Sequence, residues 1–350
     1  MRVVVTGATG NVGTSLLAAL AQDADVEEVV GIARRVPRWS VEKATFRRAD
    51  VARTELEPLF AGADAVVHLA WAIQPARDQK LMHDINVRGS ERVFTAAAAA
   101  GVKTLVYASS IGAYSPGPKE STVREDWPTG GITTSFYSRH KATVERLLDN
   151  TEARHPHMRV VRLRPALIFK RESATGIRRL FAGPLLPSPL VRPDAIRVVP
   201  SHPRLRVQAV HADDVAEAYR RAVRNESARG AFNIAADPVL DGPELARLLN
   251  ARSVPVPAAV LRRGAQLSFK LRLQPTPEGW VDMALLTPLL DATRARNELG
   301  WSPRYTAGEA LLELLEGMGQ GAGMPTPPLD PATSGPMRLR ELLTGLGART

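Results

Sequence analysis

Thr6-Gly-Ala-Thr-Gly-Asn-Val-Gly13 stands almost at the first residue of the chain. The β-forming run Arg2 to Val5 leads into it, and the helix-like run Ser15 to Ala21 follows it. Strand, glycine-rich turn and helix, in that order, form the arrangement that holds the pyrophosphate of a dinucleotide. Glycines let the backbone approach the phosphates, and the helix N-terminus offers unpaired N–H donors and a partial positive charge. The stretch therefore predicts a nicotinamide or flavin cofactor. An ordinary turn is the bland alternative, and the strand before and helix after argue against it.

The residues around this loop refine the prediction. Its glycines are Gly7, Gly10 and Gly13, one residue more between the first two than in the G-x-G-x-x-G form, with Thr9, Asn11 and Val12 between them. All six are expected to hold the cofactor. A dinucleotide domain usually ends its second strand on an acidic residue that holds the ribose 2′-OH. Here that strand ends Gly31-Ile-Ala-Arg34-Arg35, without a carboxylate. A guanidinium pairs bidentately with a phosphate, so Arg34 and Arg35 favour NADP(H) over NAD(H), with NAD(H) still open. Asp50-Val51 ends a third strand-like segment, where an adenine amino group would bind. His68-Leu69-Ala70 ends a fourth, and a lone histidine there reads as a structural hydrogen-bonder.

Further along, apolar runs continue to alternate with helical stretches. Val26 to Ile32, Ala65 to Ala72, Thr104 to Ser109 and Val160 to Leu163 read as strands. Ile85 to Ala100, closed by Gly101, and Ser138 to Leu148 read as helices. Continuous apolar strands alternating with helices predict a parallel sheet covered on both faces. The expected fold is α/β, a Rossmann-type doubly wound parallel sheet with a smaller, interleaved C-terminal substrate domain. We assign 1–170 and 206–235 to the cofactor domain and 171–205 and 236–316 to the substrate domain. His211 to Ala222 reads as a helix and Ala231 to Ala235 as a strand. Gly317 to Pro336, rich in Gly and Pro, predicts a mobile linker, and Arg338 to Leu346 a short terminal helix.

Composition bounds the function. There is no cysteine, so thiol catalysis, disulfides and thiolate metal sites are excluded, and no metal ligand set is assigned. No signal peptide or membrane-length apolar run is visible, which predicts a soluble cytoplasmic protein without a membrane partner. The net charge of +10 invites a nucleic-acid partner. However, only seven of the 46 basic residues are lysine, the arginines are scattered, and aromatic residues are 5%, so no basic face with stacking aromatics is seen. A small-molecule substrate is expected instead.

Tyr137 and Lys141 are four residues apart in a helical segment and share a face. A phenol titrates near ~10, too high for a base at neutral pH, and a neighbouring ammonium lowers it. Such a tyrosine exchanges a proton with an alcohol or carbonyl as hydride moves to or from a nicotinamide. Ser110, at the end of a strand, would bond the same substrate oxygen.

Taken together, the chain resembles an extended short-chain dehydrogenase/reductase of the NAD-dependent epimerase/dehydratase family. The resemblance rests on Thr6 to Gly13, Asp50-Val51, His68-Leu-Ala70, Asn86-Val-Arg-Gly89, Ser109-Ser-Ile-Gly-Ala-Tyr114, Tyr137-Ser-Arg-His-Lys141 and Arg164-Pro165. It continues through His211-Ala-Asp-Asp-Val215, Phe232-Asn-Ile-Ala235 and Glu298-Leu-Gly-Trp301-Ser-Pro303, and so covers about residues 1–305 in the family's order. It implies a catalytic triad of Ser110, Tyr137 and Lys141. The serine four residues before the tyrosine of the Ser-Ser-x-x-x-Tyr segment selects Ser110 over Ser109. Lys141 also binds the nicotinamide ribose, and Leu69, Ala70, Trp71, Arg164 and Pro165 complete the cofactor contacts. A homodimer is expected on the same ground.

The departures from the family pattern bear on substrate. The family's dehydratases carry an acidic residue directly after the triad Ser or Thr, where this chain has Ile111 and Gly112. Its sugar-nucleotide enzymes usually read Arg-x-x-Asn-Val-Tyr-Gly, where this chain places Leu167 and Lys170 at the Asn and Gly positions. Trp71 stands where a small residue often follows, which predicts a narrower or more apolar pocket unless it is a core aromatic. The expected activity is NAD(P)-dependent oxidoreduction or epimerisation of a secondary alcohol or ketone. A sugar-nucleotide epimerase is the alternative. A non-catalytic cofactor sensor is a second, opposed by the presence of both Tyr137 and Lys141.

Overall fold

The computed structural model describes residues 1–74, 76–181 and 191–331; the predicted helix at 338–346 lies outside them. In chain order the elements begin with β1 (Arg2–Thr6), α1 (Asn11–Ala21), β2 (Glu28–Ala33), β3 (Ala44–Arg48), α2 (Glu57–Phe60) and β4 (Ala65–His68). Next come α3 (Gln79–His83), a π-helical turn (Asp84–Arg88), α4 (Gly89–Ala99), β5 (Thr104–Ala108), β6 (Thr122–Val123), α5 (Phe136–Arg154), β7 (Arg159–Pro165) and β8 (Leu167–Phe169). Then follow α6 (Ala174–Phe181), β9 (Val198–Ser201), β10 (Val207–His211), α7 (Ala212–Arg224), β11 (Gly230–Ile234), β12 (Ala236–Leu240), α8 (Gly242–Leu249) and β13 (Arg252–Pro255). The last are α9 (Ala258–Lys270), α10 (Gly279–Leu286), β14 (Leu289–Leu290), α11 (Thr293–Leu299) and α12 (Ala307–Gln320).

Seven strands pair in the order β11-β7-β5-β4-β1-β2-β3, and every pair is parallel. The order runs outward in both directions from β1 and β4, which is the doubly wound arrangement expected. Ligands in such sheets bind beyond the carboxyl ends of the strands at that reversal.

Strand side chains alternate, so both faces must be covered. On one face Val3, Val5, Val67, Val106 and Leu163 pack against Leu16, Leu17 and Leu20 of α1 and Val215, Tyr219 and Ala222 of α7. On the other, Val4, Val66, Leu105 and Val160 meet Phe60 of α2, Val93 and Phe94 of α4 and Val144 and Leu148 of α5. Each Val, Leu or Phe among these contributes roughly 1.5–3 kcal/mol by leaving water.

The later motifs of the sequence act as joints. Trp301 is fully buried and donates from Nε1 to the carbonyl of Asp214 at 2.7 Å. Asn233 of β11 accepts from the Tyr114 hydroxyl at 2.6 Å and donates to the carbonyls of Val123 and Asp291. No helix among the described residues is long and apolar enough to cross a membrane.

The linker expected from Gly317 is corrected in its described part. Gly317 to Gln320 form the last turn of α12, which opens on a capping box of Thr306 and Glu309 and closes at Gly321, φ +66°. The chain then packs back. Thr326 and Leu329 are buried, the Thr175 hydroxyl donates to the Ala322 carbonyl at 2.7 Å, and the Thr326 hydroxyl donates to the Thr9 carbonyl at 3.0 Å. Gly and Pro content indicated flexibility, but a buried apolar side chain and satisfied polar groups fix this segment.

Candidate active site

The glycine loop follows β1 at the reversal of strand order. Gly7 has φ +72°, and a Cβ there would lie 2.7 Å from the Leu69 carbonyl carbon and the Ala70 nitrogen. At Gly13 a Cβ would lie 2.4 Å from the Gly7 carbonyl oxygen. Both positions are thus closed to any side chain: one by the segment after β4, the other by the loop folding onto α1.

Gly10 differs from the other two. It is the N-cap of α1 with φ −82°, a conformation open to any residue, and a Cβ there would meet only the Gly7 carbonyl oxygen, at 3.4 Å. Its N–H donates to that carbonyl at 3.1 Å, and its own carbonyl accepts from Thr14 N–H at 3.0 Å. The Gly10 N–H is therefore spent inside the loop, which tightens the turn, and is not a free donor for a phosphate. What Gly10 offers a cofactor is a helix start without a side chain. Neither a side-chain cap nor an acidic residue occupies the first turn of α1. The helix's N-terminal N–H groups and dipole therefore fit the pyrophosphate of a dinucleotide.

Other predicted cofactor residues lie along the same sheet edge. Leu69, Ala70 and Trp71 directly follow β4, with the Leu69 N–H donating to the Thr6 carbonyl at 3.1 Å. Arg34 and Arg35 directly follow β2 and are exposed. Asp50 and Val51 follow β3; Val51 is buried, and the Asp50 carboxylate accepts from Ala52 N–H at 3.0 Å within its own turn. Asn11 donates to the Ile168 carbonyl at 3.2 Å, tying α1 to β8, and Val12 is half-buried. Pro165 ends β7 opposite Ile234.

His68 is the structural group expected. Its Nδ1 lies 2.6 Å from the Thr6 hydroxyl and its Nε2 lies 3.0 Å from the Ser90 hydroxyl. Burial, reinforced by the Lys141 charge, lowers its pKa to about 3, so it is neutral.

Ser110, Tyr137 and Lys141 meet beyond the carboxyl end of β5. Ser110 is buried and its hydroxyl oxygen accepts from Gly112 N–H at 3.0 Å, leaving its O–H for Tyr137. Ser135 caps α5 just ahead of Tyr137. A Cβ at Gly112 would lie 2.9 Å from the Tyr137 ring, so the ring packs directly on that backbone. Lys141 is buried, donates to the Ala108 carbonyl at 2.6 Å and sits 3.5 Å from the centre of the Trp71 ring.

The electrostatics differ from expectation in one respect. Burial pushes the Tyr137 phenol up to about 12, against the opposing hydrogen bond with Ser110. Burial also drives the Lys141 ammonium well below its ordinary value, against Glu145. The expected lowering of Tyr137 by Lys141 is thus outweighed, because the ammonium lies 5.7 Å from the centre of the Tyr137 ring and is turned towards Ala108 and Trp71.

Glu145 escaped the sequence reading, although it stands four residues beyond Lys141 on the same face of α5. Burial alone would raise its carboxyl; Arg164, Arg162 and Ser109 hold it at about 2. Arg164 donates to both its oxygens, at 2.9 and 3.0 Å, and Arg162 donates to it at 3.0 Å. Arg164, expected on the cofactor, has its side chain turned to these groups instead. Its guanidinium is engaged by Glu145, by the Tyr114 hydroxyl at 2.9 Å and by the Glu125 carbonyl at 2.7 Å. It is a strut between β7 and α5.

Residues 3–235 match the family model described as NAD dependent epimerase/dehydratase family. An uncharacterized protein of Mycobacterium tuberculosis is 31% identical over 89% of this chain, which spans only 29% of that relative's length. A second uncharacterized protein of that organism is 28% identical over 94% of this chain and 86% of its own. Among solved structures, the UDP-glucuronic acid 4-epimerase of Bacillus cereus in complex with NAD shares 18% identity, at TM-score 0.68 over 91% of this chain and 99% of its own. The Thermus thermophilus UDP-glucose 4-epimerase complex with NAD shares 20% identity at TM-score 0.65, over 91% of this chain and 99% of its own. At these identities the solved structures share the fold.

Proposed function

The chain belongs to the NAD-dependent epimerase/dehydratase family, enzymes of the extended short-chain dehydrogenase/reductase type, and from that premise we propose that it catalyses hydride transfer between a nicotinamide cofactor and a secondary alcohol or ketone. The observation that carries the proposal is the meeting of Ser110, Tyr137 and Lys141 beyond β5, next to a glycine loop fitted to a dinucleotide. When bound, the nicotinamide supplies or accepts the hydride.

The protein's own residues manage the proton. Tyr137, held near 12, is a neutral phenol at pH 7 and so donates to a carbonyl oxygen that gains hydride. Ser110 holds that same oxygen through its O–H. Lys141 supplies the local cation, and Glu145, one turn beyond, opposes its loss of charge. Arg34 and Arg35, exposed after β2 where an acidic residue would select NAD(H), support a preference for NADP(H).

A sugar-nucleotide epimerase is the second reading. It is supported by the similarity to UDP-sugar epimerases bound to NAD, which extends over 91% of the chain.

Tyr137→Phe tests the proposal. The substitution should lower kcat by about 10²- to 10⁴-fold while leaving the cofactor Kd unchanged. Substrate-dependent change in nicotinamide absorbance is the readout. Equal turnover by both proteins, or none by the parent, sinks it and leaves a cofactor-binding protein.

A further inference from the structure

Tyr137 is walled by aromatic rings drawn from three separate segments. Trp280, in the first turn of α10, lies 5.0 Å from it, centre to centre, tilted by 40°. Phe181, the last residue of α6, stands at 89° to Trp280 at 5.0 Å and is 38% exposed, so it faces the outside of the wall. Trp71 meets Tyr137 edge-on at 5.8 Å. The buried Met283 side chain closes the side next to Gly112, where a Cβ would lie 2.8 Å from its methyl carbon.

Backbone contacts hold these walls together. The Gln74 amide, three residues after Trp71, donates to the carbonyls of Pro275 at 3.0 Å and Leu180 at 3.5 Å, joining all three segments. The α10 backbone is pressed so closely on the segment leading into α5 that a Cβ at Gly279 would lie 2.6 Å from the Thr134 carbonyl oxygen. Trp280 is therefore fixed relative to Tyr137.

Three of the cations described around this wall are engaged within the protein. Arg77 donates to the Phe269 carbonyl and covers the Phe269 ring at 4.0 Å. Arg204 donates to the carbonyls of Leu285 and Gly117, and Arg262 pairs with Asp282 at 3.0 Å. A diphosphate needs guanidinium or ammonium groups aimed at it. A ring needs apolar and aromatic surfaces at contact distances of about 4.5–7 Å, and those are what stand here.

We propose that the substrate is an uncharged ketone or secondary alcohol carrying a flat ring beside the reacting carbon, seated against Trp280 and Phe181, and not a nucleoside-diphosphate sugar. This rests on the hydride-transfer function proposed above. The ring would lie against the two aromatic faces while the oxygen reaches Ser110 and Tyr137.

Calorimetric titration of the protein saturated with NADPH, using benzylacetone, α-tetralone and UDP-glucose as probes, tests the inference. At least one ketone should bind, and Trp280→Ala and Phe181→Ala should each weaken it about tenfold. Trp280→Phe, which keeps a ring, should bind nearly as the parent does; it guards against loss of fold in the alanine variant. UDP-glucose binding without ketone binding, binding of none of the three, or ketone binding indifferent to both alanine variants overturns the inference. Turnover of UDP-glucose with no ketone bound overturns it while hydride transfer stands. Ketone binding that is sensitive to Trp280 but never followed by nicotinamide oxidation places a ring against this wall, sinks hydride transfer and with it overturns the ketone as substrate.

Discussion

The Lys141 ammonium lies 3.5 Å from the centre of the Trp71 ring, closer than to the Tyr107 ring at 5.1 Å or the Tyr137 ring at 5.7 Å. A buried cation on an indole face is stabilised by about 0.5–2 kcal/mol. To reach a cofactor ribose, the ammonium must exchange part of this face for hydroxyl oxygens. With Lys141 on the ribose as proposed, Trp71 is expected to report cofactor arrival. Titration with NADPH should change tryptophan emission, and Trp71→Phe should abolish most of that change while holding the Kd within about threefold. The same emission change in the variant would refute the exchange.

Glu145 balances three cations: Lys141, Arg162 and Arg164. Replacing it with Gln leaves two buried guanidiniums short of their partner, and stability should fall by about 3 kcal/mol in denaturant titration. A purely structural role would stop there. Because Glu145 also opposes the lowering of Lys141, the alkaline limb of kcat/KM should move to lower pH in Glu145→Gln. An unmoved limb would assign the residue to stability alone.

Arg34 and Arg35 directly follow the second strand and are exposed. Charge-assisted hydrogen bonds to a 2′-phosphate are worth about 1.5–3 kcal/mol each. Replacing both with alanine should weaken NADPH binding by about tenfold or more and change NADH binding by no more than about twofold. Equal losses for the two cofactors would remove the NADP(H) preference.

His68 sets an acid limit on stability. Its pKa is lowered from 6.5 to about 3 in the fold, so the unfolded chain binds the extra proton below pH 6.5. Its contribution is complete above that pH and is lost as pH falls towards 3, amounting to about 2 kcal/mol at pH 5. His140, lowered to about 4, acts with the same sign. Urea unfolding at a series of pH values should show the slope, and His68→Gln should flatten it between pH 6.5 and 4 while leaving the smaller part due to His140.

What the sequence made legible is what local patterning encodes. The strand–loop–helix at Thr6 to Gly13, the alternation behind the parallel sheet and the pairing of Tyr137 with Lys141 depend on residues within a few positions of one another. The three loop glycines looked equivalent in that pattern, yet only the folded loop separates Gly7 and Gly13, where no side chain fits, from Gly10, where one would. The partners of the Arg164 guanidinium, Glu145 and Tyr114, were not legible because they come from a helix and a loop that only the folded sheet brings beside β7. Trp280 lies 143 positions from Tyr137, and nothing periodic marks it as a wall of the site. The Gly- and Pro-rich run after Gly317 looked like linker because composition records flexibility but not the burial of Leu329 and Thr326.

The Thr326–Thr9 hydrogen bond ties the chain's 322–331 segment to the glycine loop that we propose holds the cofactor. Docking of that segment and ordering of the glycine loop share one contact, so each must change the equilibrium constant of the other by the same factor. Cofactor occupancy would thus be written into protease protection around Leu329, far along the sequence from any residue that touches a nucleotide. In turn, a ligand or tag that pulls this segment away would act as an inhibitor competing with the dinucleotide without entering its groove.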